Sequence, residues 1–249
     1  MKKIIFILVL LFSVNSFARM ITVAVAANAQ YAMKALSHAF TKKTGIYVQS
    51  VVSSSGKLTA MIKSGAPFNL FLSANMKYPM YLYKHNLAIT KPKIYAKGSL
   101  VLWTLKKVSL KDKIDTLKNP SILTVAIPNP ASAPYGVQAV DAMRNAKIFT
   151  DVKSKIIYAD SIAQTNQYIY SKSVDLGITA KSVVMSPKMK DKGHYVDIAP
   201  SLYNFLLQGV VVLKYADTSN KLATMKFYNF IFSKQARSIF KQFGYILPK

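Results

Sequence analysis

The chain has 249 residues, with 34 Lys and Arg against 9 acidic residues, all of them Asp, and it carries a formal net charge of +25 and no Cys. A hydrophobic fraction of 51% excludes intrinsic disorder, and the lack of Cys excludes a disulfide scaffold, a thiolate zinc site and a cysteine nucleophile. The length fits one large domain or two medium ones, and the charge points to an anionic partner: nucleic acid, an anionic membrane surface or a small anion.

Lys2 and Lys3 precede an unbroken apolar run at 4–12 (IIFILVLLF), and Ser16-Phe17-Ala18 then offers small residues at the two positions a signal peptidase reads. This is the pattern of a secretory signal peptide over 1–18, cleaved after Ala18. The run falls short of the roughly 20 apolar residues of a membrane span. The expectation is export to the periplasm, where a nucleic-acid partner is out of place.

Residues 20–26 (MITVAVA) read as a strand. Asn28 opens a helical pattern with Met33, Leu36 and Phe40, closed near Gly45. Residues 46–52 form a second strand, Ser53-Ser54-Ser55-Gly56 a turn and cap, 57–63 a short helix, and 69–72 a third strand before a helix carrying Tyr78, Leu82 and Leu87. Two extended runs, 99–105 (SLVLWTL) and 206–213 (LLQGVVVL), enclose a second alternating series. It comprises a strand at 123–127, a proline-rich loop at 128–134, a helix at 136–146, a strand at 156–158, a helix at 162–172 and a strand at 176–179. The tail, 222–243, is amphipathic and helical. Such alternation predicts an α/β protein with two lobes, each a mostly parallel sheet flanked by helices, joined by two extended crossings. The expected division is a first lobe at 19–100, a second at 101–207, and a return to the first at 208–249.

Four strand-to-helix junctions share a chemistry: Ala27-Asn28, Ser54-Ser55-Gly56, Ala133-Pro134-Tyr135-Gly136 and Ser161-Ile162. In an open parallel sheet these loops line the ligand crevice. Each offers unpaired backbone N–H groups and the positive end of a helix dipole, a setting that attracts an anion without Lys or Arg. The Ser55 hydroxyl and the Asn28 amide can add donors. Asp160, just before the fourth junction, is expected to point away and bond locally. A lining of donors alone suits an unprotonated tetrahedral dianion and disfavours phosphate, which often keeps a proton and wants an acceptor.

The segments ITVAVAAN, VVSSSGKL, SGAPFNLFLSAN, NPASAPYG, ADSIAQT and DLGITA, in this order, resemble the periplasmic molybdate-binding proteins of ABC transporters. The resemblance spans nearly the whole chain after residue 20. It implies a type II periplasmic-binding-protein-like fold that closes over one oxyanion, molybdate or tungstate. It also implies no resident cofactor, no enzymatic activity, a membrane permease as partner and a monomer. Carried over by position, the ligand is held by Asn28, through side chain and backbone, by Ser55, and by the backbone N–H groups of Tyr135 and Ile162. Ala180 stands where some members place a Tyr that reaches the anion, Ser161 where Asn is usual, and Asn69 and Asn75 where Asp is usual.

Competing readings are a binding protein for sulfate or phosphate, an exported hydrolase, and a basic nucleic-acid-binding protein. SSSGKL lacks the leading Gly and the Ser/Thr of a phosphate-binding P-loop. His38, His85 and His194 show no metal-ligand spacing, and no G-x-S-x-G elbow occurs.

Overall fold

The protein is described by a computed structural model over residues 20–248; the expected signal peptide lies outside the described residues. The strands in chain order are β1 (Met20–Ala26), β2 (Tyr47–Ser53), β3 (Leu70–Leu72), β4 (Lys93–Gly98), β5 (Leu100–Thr104), β6 (Val125–Pro128), β7 (Ile156–Ala159), β8 (Leu176–Ala180), β9 (His194–Asp197) and β10 (Leu206–Val212). The helices are α1 (Gln30–Thr44), α2 (Ser55–Lys63), α3 (Lys77–Lys84), α4 (Pro134–Asn145), α5 (Phe149–Val152), α6 (Ile162–Tyr170), α7 (Lys181–Val184), α8 (Tyr215–Thr218), α9 (Lys221–Ile231) and α10 (Lys234–Gln242).

Two five-stranded sheets result, ordered β2-β1-β3-β10-β4 and β7-β6-β8-β5-β9. In the first, β1 pairs in parallel with β2 and β3, while β10 runs antiparallel to β3 and β4. In the second, β6 pairs in parallel with β7 and β8, while β5 runs antiparallel to β8 and β9. Each sheet is thus parallel except for the one strand that follows a crossing. Sheet membership changes at Ser99, between β4 and β5, and again across 198–205, between β9 and β10. The second crossing includes a 3-10 turn, Pro200–Leu202.

The central strands are apolar on both faces because helices cover both: Val23, Ala24, Val25 and all of β5 are buried. In α1, Met33, Leu36 and Phe40 face the first sheet, and Phe40 meets Phe227 of α9 edge-on at 4.9 Å. Gly45, at φ 69°, ends that helix in the left-handed conformation that favours glycine. The expected tail helix is two helices, because Ser233 caps α10 by accepting from the Ala236 N–H at 3.2 Å. β4 and β9 are additions to the expected set.

Asp175 fastens the second lobe. One carboxylate oxygen accepts from Lys106 Nζ at 2.7 Å and the other from the Leu123 and Thr124 N–H groups at 2.8 and 2.9 Å. Burial pushes the carboxyl pKa up, but the Lys106 and backbone donors outweigh it and hold the pKa down at about 2. A carboxylate depressed in the folded state stabilises above its unfolded pKa of about 3.9 and loses that contribution as pH falls through the folded value. Asp175→Asn is therefore expected to cost on the order of 1–2 kcal/mol at neutral pH, allowing for solvent screening. The difference from wild type in a thermal melt should shrink as pH falls from 4 to about 2.

Candidate functional site

The junctions singled out in the sequence sit at the carboxyl ends of β1 and β2 in one sheet and of β6 and β7 in the other. Asn28, Ser55, Tyr135 and Ile162 line one small cavity between the lobes. The rest of its wall is alanine, Ser54 and Pro134, with no charged side chain among the described residues. None of the four is more than 3% exposed, so donors there act with little competition from water.

Each donor is shaped by its local fold. Ser54 caps α2 by accepting from the Lys57 N–H at 3.4 Å, which leaves Ser55 in the first turn. Ser55 Oγ accepts from the Ala74 N–H at 3.0 Å, so a lone pair is engaged and its O–H remains to donate. Pro134 opens α4, followed by Tyr135. Ser161 caps α6 by accepting from Gln164 N–H, while Gln164 Oε1 accepts from Asp160 N–H at 2.6 Å, which puts Ile162 at the first helical position. First-turn N–H groups lack helical acceptors. Asn28 lies in the 3-10 turn Ala27–Ala29 that runs into α1.

Two details differ from the sequence reading. The Asn28 amide is not a free donor: Nδ2 donates to Gln208 Oε1 at 2.9 Å and to Tyr245 Oη at 3.1 Å, which engages both of its hydrogens. Only the Asn28 backbone N–H is left for a ligand. Asp160 does not bond only locally; its carboxylate meets Lys57 Nζ of the opposite lobe at 2.7 Å. Ala180 is fully buried at the end of β8 and does not line the cavity. Asn69 bonds within its own lobe, accepting from Thr22 N–H and donating to Ser219 O, both at 2.8 Å.

The lobes meet at further points. Gly56 N–H donates to Ser132 O at 2.9 Å. Ser182 Oγ donates to Asn28 O at 2.9 Å, and Gln208 Nε2 donates to Tyr135 Oη at 3.1 Å. Burial pushes the Tyr95, Tyr135 and Tyr245 hydroxyls up, Tyr245 to about 12, so all three remain protonated at neutral pH. Gln208, Tyr95, Tyr245 and Ser182 were not among the residues expected here. Gln208 left one trace in the sequence: a lone amide followed by Gly inside the apolar run LLQGVVV.

The profile of a family described as bacterial extracellular solute-binding protein matches residues 21–246. The molybdate-binding protein ModA of Azotobacter vinelandii is 31% identical over 226 residues, covering 90% of this chain and 89% of the relative. ModA of Rhodobacter capsulatus is 32% identical over 225 residues, covering 90% of this chain and 86% of the relative. The solved structure of the Azotobacter vinelandii periplasmic molybdate-binding protein matches with a TM-score of 0.86 and 29% identity, over 92% of this chain and 100% of that chain.

Proposed function

We propose that this chain, which belongs to the bacterial extracellular solute-binding protein family, captures molybdate or tungstate between its lobes and delivers it to an ABC-type membrane permease. The observation that carries this reading is the uncharged, buried cavity in which four helix starts, two from each lobe, converge. Donation to the anion comes from the Ser55 hydroxyl and from the backbone N–H groups of Asn28, Ser55, Tyr135 and Ile162. Two of these residues belong to each lobe, so the ligand favours the closed form through contacts that need both. Capture needs no covalent step, and the protein acts by binding and release, without turnover. It works as a monomer in the periplasm after removal of residues 1–18, with lobe boundaries near residues 100 and 207. A lining without carboxylates gives a protonated phosphate no acceptor for its hydrogen.

Isothermal titration calorimetry tests the reading. One molybdate is expected to bind per chain with a dissociation constant of about 1 µM or tighter, near −8 kcal/mol. No heat and no thermal shift with either molybdate or tungstate would remove the proposal.

The Lys57–Asp160 pair adds a charge effect at the mouth of the cleft. Both side chains are about half exposed or more, 47% and 67%, so the pair itself contributes little. Lys57→Met, however, leaves a carboxylate two residues from Ile162 without its partner. Molybdate affinity is expected to fall about threefold, and the Lys57→Met/Asp160→Asn double variant should recover it. Equal affinity in wild type and Lys57→Met would mean the pair is a surface contact only.

A further inference from the structure

We infer that Gln208 is a positioning residue for anion binding, joining Asn28 of the first lobe to Tyr135 of the second at a buried junction behind the cavity. The inference rests on the oxyanion reading above. Gln208 is fully buried, and every polar atom of its amide is engaged. Oε1 accepts from Tyr95 Oη at 2.7 Å and from Asn28 Nδ2 at 2.9 Å. Nε2 donates to Tyr135 Oη at 3.1 Å. Two donors on the carbonyl side fix which way the amide faces, so its N–H is held toward Tyr135. Asn28 and Tyr135 each bring a backbone N–H to the cavity from opposite lobes. One side chain thereby sets the relative placement of two donors that it does not itself supply.

The backbone is built to deliver this side chain. The register of β10 against β4 slips between Gln208 and Gly209: Gln208 lies opposite Ala96 and Gly209 opposite Ile94, leaving Tyr95 as the extra residue. Such a bulge re-aims side chains, and here the extra residue is the one whose hydroxyl bonds Gln208. Gly98, at the end of β4, closes the junction from the other side. A Cβ there would overlap both Tyr135 Oη and Gln208 Nε2, so only glycine lets the crossing pass this close. The junction thus lies where β4 leaves the first lobe and β10 returns to it.

The test is calorimetry with molybdate on Gln208→Met, Tyr135→Phe and the double variant, well below each melting temperature. Tyr135→Phe removes the hydroxyl that Gln208 holds but keeps the Tyr135 backbone N–H. Gln208→Met is expected to weaken binding about tenfold or more, Tyr135→Phe by a smaller factor. The double variant should lose less than the product of the two single losses, because both break one junction. A purely structural Gln208 would lower the melting temperature and leave the affinity of the folded protein unchanged. That result, or losses that simply multiply, would overturn the inference. Should Gln208→Met not fold, Tyr135→Phe decides alone, with wild-type affinity the overturning result. A wild-type protein that binds no molybdate overturns the oxyanion reading and this inference together, whereas wild-type binding beside indifferent variants overturns this inference only.

Discussion

Replacing Gly56 with alanine is expected to weaken molybdate binding on the order of tenfold to a hundredfold, the cost of forcing a methyl group into a packed contact, while the ligand-free protein melts no lower than wild type. The two effects separate because the obstruction lies across the cleft. A Cβ at Gly56 would stand 2.8 Å from Ser132 O and 3.0 Å from Ser132 Cα, both backbone atoms of the second lobe. Its third close neighbour, Tyr78 Oη at 2.9 Å, is the far end of a side chain that can swing away. With the lobes apart, the Ser132 contacts vanish and only the helix remains to be considered. Alanine is the better helix former by about 1 kcal/mol, so α2 itself gains. Calorimetry and a thermal melt on the same sample check both signs. Wild-type affinity in Gly56→Ala would show that anion binding does not need the Gly56–Ser132 approach.

Ser55→Ala is the second large effect. Loss of a hydrogen bond to a charged group costs roughly 1.5–3 kcal/mol, about ten- to 150-fold in affinity. The hydroxyl is well prepared for that role: with the Ala74 N–H on its oxygen at 3.0 Å, its hydrogen is free to face the cavity that Ala74 also lines. The variant leaves the Ala74 N–H without its acceptor, so some loss of melting temperature is expected as well. The affinity decides the role. An unchanged dissociation constant would mean that Ser55 serves only to hold Ala74.

The sequence and the structure agree where local physics is enough. β1 and α1 were legible because buried β-branched runs and the Met33, Leu36, Phe40 spacing each require one kind of element. The four junctions were legible because Ser, Asn, Gly and Pro at strand ends mark helix starts. β4 was not: in KIYAKG, lysines at Lys93 and Lys97 interrupt the apolar signal. β9 was not, because an edge strand paired only to β5 is largely exposed and carries no core pattern.

The misread polar groups have a different cause. The Asn28 amide finds Gln208 and Tyr245, 180 and 217 positions away, and Asp160 finds Lys57 on the other lobe. No spacing rule reaches such partners: the Asn28 contacts exist because the return strand and the tail come back to the first lobe, and the Asp160 contact because the two lobes face each other across the cleft. Net charge carries less local information. An excess of Lys this large points to an anionic partner but not to where it binds: no charged side chain lines the cavity among the described residues. The positive field is left to speed the approach of a small dianion, an effect that fades with salt.

In the proposed function, neutral donors from both lobes select an unprotonated tetrahedral oxyanion. Native mass spectrometry of the protein in an equimolar mixture of molybdate, tungstate, sulfate and phosphate tests it most directly, because ligand mass and stoichiometry are read together. A single bound anion per chain, molybdate or tungstate, is the expected result. A protein that leaves the mixture carrying sulfate or phosphate, or carrying nothing, would overturn the proposal.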